Sequence, residues 1–126
     1  MPFVRIDLLE GTSAAYRATI GDVVYESMLS ALNVPKDDKF QVITEHPAGE
    51  LSVDPTYLGI QRSSACIFIQ VTLNEGRALE QKRAFYKAIA DGLHNRLNVR
   101  REDVFINLVE VKKENWSFGN GEAQYA

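Results

Sequence analysis

Cysteine is nearly missing from this chain. Cys66 stands alone, so no internal disulfide can form, and a reducing, cytoplasmic setting is expected. Only two histidines occur, His46 and His94, and neither shares metal-ligand spacing with Cys66 or with the other. His94 reads as a surface helix residue; His46, after a strand and before Pro47, has a better claim to a site but fits a structural role. There is no phosphate-cradling Gly-Lys-Ser/Thr loop and no Gly-x-Ser-x-Gly elbow. No metal and no cofactor are therefore expected. Basic charge is not in excess: 14 Lys and Arg against 17 Asp and Glu give a net charge of −3, which argues against nucleic acid as a partner. No apolar run could span a bilayer and no charged-then-apolar leader precedes the first strand, so neither membrane nor secretion is expected. Without secretion, Asn115-Trp116-Ser117 is a chance match to a glycosylation acceptor.

What the chain does have is a copy of itself. A shift of 65 positions aligns residues 3–45 with 68–110 without a gap, and 10 of those 43 pairs are identical, too many in one register for shared periodicity alone. Among them are Phe3/Phe68, Glu10-Gly11/Glu75-Gly76, Leu32-Asn33-Val34/Leu97-Asn98-Val99, Asp38/Asp103 and Glu45/Glu110.

Each half reads as strand, helix, strand. Phe3 to Leu8 is β-branched and largely alternating, and Glu10-Gly11-Thr12-Ser13 supplies a turn and an N-cap. Between Ala14 and Leu32, Ile20, Val23, Val24, Met28, Ala31 and Leu32 recur at helical spacing, and Pro35 forbids continuation. Phe40 to Glu45 returns as a strand. The second half predicts a strand over 67–73, a helix over 79–97 with Phe85, Ala88, Ile89 and Leu93 inward, and a strand over 104–109. Long crossovers make each strand pair parallel and right-handed.

The fold class that follows is α+β in two layers: a four-stranded mixed sheet from tandem β-α-β halves (about 2–45 and 67–110), with two helices on one face, in a single domain over 1–126. The opposite sheet face is left bare although strand residues of both parities are apolar (Ile67, Phe68, Ile69, Val71), which predicts a homo-oligomer. Residues 46–65 read as loop. The tail, 112–126, carries Trp116, Phe118 and Tyr125 among glycines and is expected to dock over a pocket or a neighbouring subunit.

Chemistry is expected at the start. Pro2 runs straight into a strand, and initiator methionine is generally removed before a residue this small. The product is a secondary amine on a rigid ring, with a pKa near that of an α-amino group, about 7.7–8.0, and lower if partly buried. Such a group acts as base when neutral, as donor when protonated, or as a nucleophile toward a carbonyl. A retained Met1 would turn that nitrogen into an amide and remove the chemistry.

Pro2 opening a strand, the duplicated halves and the expected oligomer together resemble the tautomerase superfamily. More narrowly, Val34-Pro35…Asp38, Leu58-Gly59-Ile60-Gln61-Arg62-Ser63, Gly76-Arg77 and the tail Trp116-Ser117-Phe118-Gly119…Ala123-Gln124-Tyr125 resemble the malonate semialdehyde decarboxylases over nearly the whole chain. The resemblance implies a trimer acting on a small carboxylate-bearing oxo acid. It implies catalytic roles for Pro2, Asp38 and Arg77, with Arg77 gripping the carboxylate and Trp116, Phe118 and Tyr125 forming an apolar wall. Some decarboxylases of this kind carry paired arginines in the turn after the third strand; here Asn74 and Gly76 flank Glu75 and only Arg77 remains. Asn120 likewise stands where an aromatic is common. Decarboxylation of a 3-oxo acid, tautomerisation or hydration of a 2-oxo acid, and a non-catalytic binding role all stay open at this point. Asp38 also has a plain alternative as a turn residue, like its counterpart Asp103. Arg77 replaces Thr12 of the first half, so the duplication is broken there.

Overall fold

The computed structural model describes residues 2–126; Met1, and with it the expected methionine removal, lies outside the described residues. Strand β1 (Phe3–Leu9), helix α1 (Ala14–Ala31), strand β2 (Phe40–His46), strand β3 (Ile67–Asn74), helix α2 (Leu79–Leu97) and strand β4 (Val104–Val111) follow in order. Short 3-10 turns cover Tyr57–Gly59, Arg101–Asp103 and Lys113–Asn115. Every predicted element is present, within two residues at each end.

The sheet order is β2-β1-β3-β4. β1 pairs parallel with β2 and β3 with β4, while β1 and β3 run antiparallel, so the two halves meet edge to edge. Local chemistry explains the boundaries. The Ser13 hydroxyl accepts the Tyr16 N–H at 3.0 Å and caps the start of α1. Both helices are followed by an asparagine in the left-handed region, Asn33 (φ 53°) and Asn98 (φ 55°), a conformation asparagine tolerates better than most residues.

One sheet face carries the core. Val4, Ile6 and Leu8 of β1 and Ile67, Ile69, Val71 and Leu73 of β3 lie buried against Ile20, Val24 and Met28 of α1 and Phe85, Ile89 and Leu93 of α2. The helices also pack on each other, and closely: a Cβ at Gly92 would stand 2.8 Å from Val23 Cγ1. A methyl group there must displace core side chains, and that strain of about 1–3 kcal/mol exceeds the roughly 0.8–1.0 kcal/mol gained in helix propensity. Gly92→Ala is expected to lower the urea midpoint without changing the m-value.

The duplication also conserves an ion pair. Arg17 reaches Glu45 at 3.0 Å and its counterpart Lys82 reaches Glu110 at 2.8 Å. In the first half Thr12 joins this pair, donating its hydroxyl (2.7 Å) and amide (3.0 Å) to Glu45. Arg77 stands at the matching position of the second half and turns elsewhere.

Among the described residues neither α-helix covers the other sheet face; only the tail and the 46–65 loop border it. Phe40, Val42, Phe105 and Val109 are exposed there, interleaved with Arg5, Gln70 and a His46–Asp7 contact of 2.7 Å. That bare, part-apolar face is the one the strand pattern predicts. Cys66 is buried, and His94 is tied by Nδ1 to the Val99 carbonyl at 3.1 Å, a local structural contact. Among the described residues no helix is long and apolar enough to cross a membrane.

Candidate active site

The pairing register gathers the starts of β1 and β2 and the ends of β3 and β4 at one edge of the sheet. Phe3 lies between Phe40 and Thr72, so Pro2 comes beside the exit of β3, where Asn74 and the turn to Arg77 begin. The tail leaves β4 at the same edge. These elements enclose a cavity of about 260 Å³ lined by Pro2, Phe3, Phe40, Trp116, Ser117 and Phe118. Pro2 itself is buried rather than turned to solvent.

The tail is folded into a wall. The Trp116 and Phe118 rings stack with centroids 5.3 Å apart and an interplanar angle of 16°. Gln124 clamps the following loop, its Oε1 accepting the Phe118 N–H at 2.9 Å and its Nε2 donating to the Gly119 carbonyl at 2.7 Å. Tyr125 packs edge-on against Phe118 at 4.9 Å and is 39% exposed; it is not among the residues lining this cavity.

Arg77 is held at this same edge by two main-chain carbonyls. Its Nε donates to Leu32 O (3.2 Å), at the C-terminal end of α1, and its Nη1 donates to Asn74 O (3.3 Å). A cation beside the exposed carbonyls that end a helix is favourably placed. Asn74 also meets the wall: its Oδ1 accepts the Trp116 indole N–H at 2.7 Å.

Asp38 and its counterpart Asp103 have diverged. Asp103 is buried and takes the Ser63 amide (2.7 Å) and hydroxyl (2.6 Å), fastening the loop between the halves. Asp38 is 6% exposed, and burial pushes its carboxyl above the ordinary aspartate value while the positive charge of the chain's amino terminus pulls the other way. A carboxyl whose folded pKa is raised binds a proton more readily folded than unfolded, so stability falls as pH rises from about 4 through that raised value. The stability difference between Asp38→Asn and wild type should therefore move in favour of the variant over that window, as measured by urea unfolding at stepped pH.

Phe3, Phe40, Ser117 and Asn74 were not foreseen as site residues. Phe3 and Phe40 carried a usable signal, being aromatic on the strand parity that faces away from the helices. Ser117 and Asn74 stand inside segments that carry the resemblance, with no role attached to either there. Among the described residues no group of three or more His, Cys, Asp or Glu could hold a metal.

Two family profiles, both described as tautomerase enzyme, match residues 2–61 and 38–119. A probable tautomerase of Bacillus subtilis strain 168, YusQ, is 45% identical over 124 residues, covering 98% of each chain. The chain belongs to the tautomerase family. It is thus a member of a family of enzymes. Among solved structures it is similar to malonate semialdehyde decarboxylase, at a TM-score of 0.90 and 33% identity over 98% of this chain and 95% of that one. That protein has been studied as wild type, inactivated, and with its position-one proline changed to alanine, in connection with decarboxylase and hydratase activities. FG41 malonate semialdehyde decarboxylase inhibited by 3-bromopropiolate is equally similar, at a TM-score of 0.90 and 36% identity over 98% of this chain and 93% of that one.

The tautomerase duplication extends further than residues 3–45. A shift of 65 carries Phe3, Phe40, Ser117 and Phe118 onto Phe68, Phe105, Ser52 and Val53, and these four line a second, smaller cavity of about 130 Å³ with Cys66. Pro2 maps onto Ile67, a residue within the chain whose nitrogen is an amide. The frame is doubled, but only one copy can hold an amine.

Proposed function

We propose that this tautomerase-family enzyme uses the Pro2 amine to decarboxylate a small 3-oxo acid such as malonate semialdehyde. The single observation that carries the proposal is the buried Pro2 lining an aromatic cavity at the sheet edge that also holds Arg77. The protonated amine donates to the substrate's 3-carbonyl. The bond from carbon 2 to the carboxyl carbon breaks, its electron pair forms the enolate, carbon dioxide leaves, and carbon 2 takes a proton. Arg77 orients the departing carboxylate: Nε and Nη1 are engaged by carbonyls, and Nη2 forms no bond among the described residues. The apolar faces of Trp116 and Phe118 favour loss of charge from the carboxylate as neutral carbon dioxide forms. Asp38, a buried carboxyl in the turn before β2, is assigned the tuning of the amine's proton.

A second reading is tautomerisation or hydration of a 2-oxo acid by the same amine. The 45% identity to a probable tautomerase favours it. Protein whose intact mass lacks Met1 should release aldehyde and carbon dioxide from the 3-oxo acid, and borohydride should trap Pro2 if an iminium forms. Turnover of the 2-oxo acids alone would favour the second reading, and turnover of neither class would sink both. We propose further that the bare sheet face is covered by copies of this chain in a trimer, supported by exposed Phe40, Val42, Phe105 and Val109. Light scattering tests the assembly.

A further inference from the structure

We propose that Asn74 is a positioning residue that ties the aromatic wall and Arg77 to one hinge, so that the surface facing the reacting carbon and the group gripping the carboxylate are set together. The inference deepens the amine-dependent reading above and rests on it for what the wall and the guanidinium do.

Two different groups of this one residue do the tying. The side-chain Oδ1 accepts the Trp116 indole N–H at 2.7 Å, across 42 positions of sequence. The main-chain oxygen accepts Arg77 Nη1 at 3.3 Å. Asn74 is the last residue of β3 and still pairs with Val111 of β4, so the hinge stands on the sheet ladder itself. Trp116 has no such support of its own. It follows the short turn Lys113–Asn115 and lies outside every strand, and its ring contacts run to Phe118, itself part of the tail. The Asn74 acceptor is thus what fixes the tail's rings to the sheet rather than to each other. A half-buried indole N–H that loses its acceptor must find water, and the ring must turn to let it.

Only an acceptor serves here. Asparagine offers one without charge, which leaves the Arg77 guanidinium available to a substrate carboxylate rather than to a neighbouring acid. Aspartate would hold the indole but compete for the guanidinium; alanine would do neither.

Trp116 is the only tryptophan in the chain, so its emission reports the indole directly. Asn74→Ala is expected to shift that emission to longer wavelength and to increase its quenching by acrylamide. It should raise KM for the oxo acid about fivefold to tenfold, the equivalent of one lost hydrogen bond, with kcat changed much less. Asn74→Asp keeps an acceptor and should restore the wild-type emission. Unchanged emission in Asn74→Ala overturns the anchoring, as does an equal shift in the alanine and aspartate variants. Shifted emission with an unchanged KM overturns the link to substrate. Wild-type protein inactive on both acid classes would sink the proposed reaction and the link to substrate together, while the emission comparison would still decide whether Asn74 anchors the wall.

Discussion

Pro2→Ala is expected to lower kcat/KM by about 10²–10⁴, the range attached to one positioned proton-transfer group, while leaving the fold intact. After methionine removal the variant still has an amine. It is primary, freely rotating and more strongly solvated, so it loses the fixed direction that the pyrrolidine ring and its burial give. A sharper version adds one residue before Pro2. That turns the ring nitrogen into a tertiary amide, with no proton to give and no basic lone pair, and activity should fall to background. Circular dichroism and the urea midpoint should match wild type in both proteins, because no core side chain is touched. Retained activity in the extended protein would end the amine mechanism outright.

Much of this was legible in the sequence because a duplication states everything twice. The helix ends at Asn33 and Asn98, the ion pairs Arg17–Glu45 and Lys82–Glu110, and the strands beginning at Phe3 and Phe68 each support the reading of their partner. The same redundancy made departures informative. Thr12 serves Glu45, whereas Arg77 at the matching position reaches the other half through Leu32, a divergence visible in the sequence as a mismatch between the halves. What stayed hidden depends on distance along the chain and on direction. The Asn74–Trp116 bond joins a strand end to a tail with no periodicity, and nothing local in either segment announces it. The resemblance implies Tyr125 in the wall; its edge-on packing on Phe118 and the Gln124 clamp on that loop are set by tertiary geometry. The second cavity leaves no trace in the sequence because Leu51-Ser52-Val53 shares only its serine with Trp116-Ser117-Phe118.

Arg77→Ala should cost about 10²–10³ in kcat/KM for a carboxylate substrate, in line with the roughly 2–5 kcal/mol lost when one partner of a desolvated, hydrogen-bonded charge pair is truncated. Stability should suffer far less, since two bonds to partly solvated carbonyls are worth only about 1–3 kcal/mol together. The position separates charge from shape. Arg77→Lys keeps the cation but cannot bond Leu32 O and Asn74 O while also presenting a donor to substrate, because one ammonium replaces three nitrogens held in a plane. The lysine variant should therefore recover some ground-state binding, seen as a KM nearer wild type, yet leave kcat low. Equal kcat in the arginine and lysine enzymes would mean that the guanidinium merely attracts the acid. A kcat restored only by arginine would place its fixed geometry in the transition state for bond cleavage, where the bond from carbon 2 to the carboxylate must stand perpendicular to the carbonyl plane as its electron pair passes to the carbonyl beside Pro2.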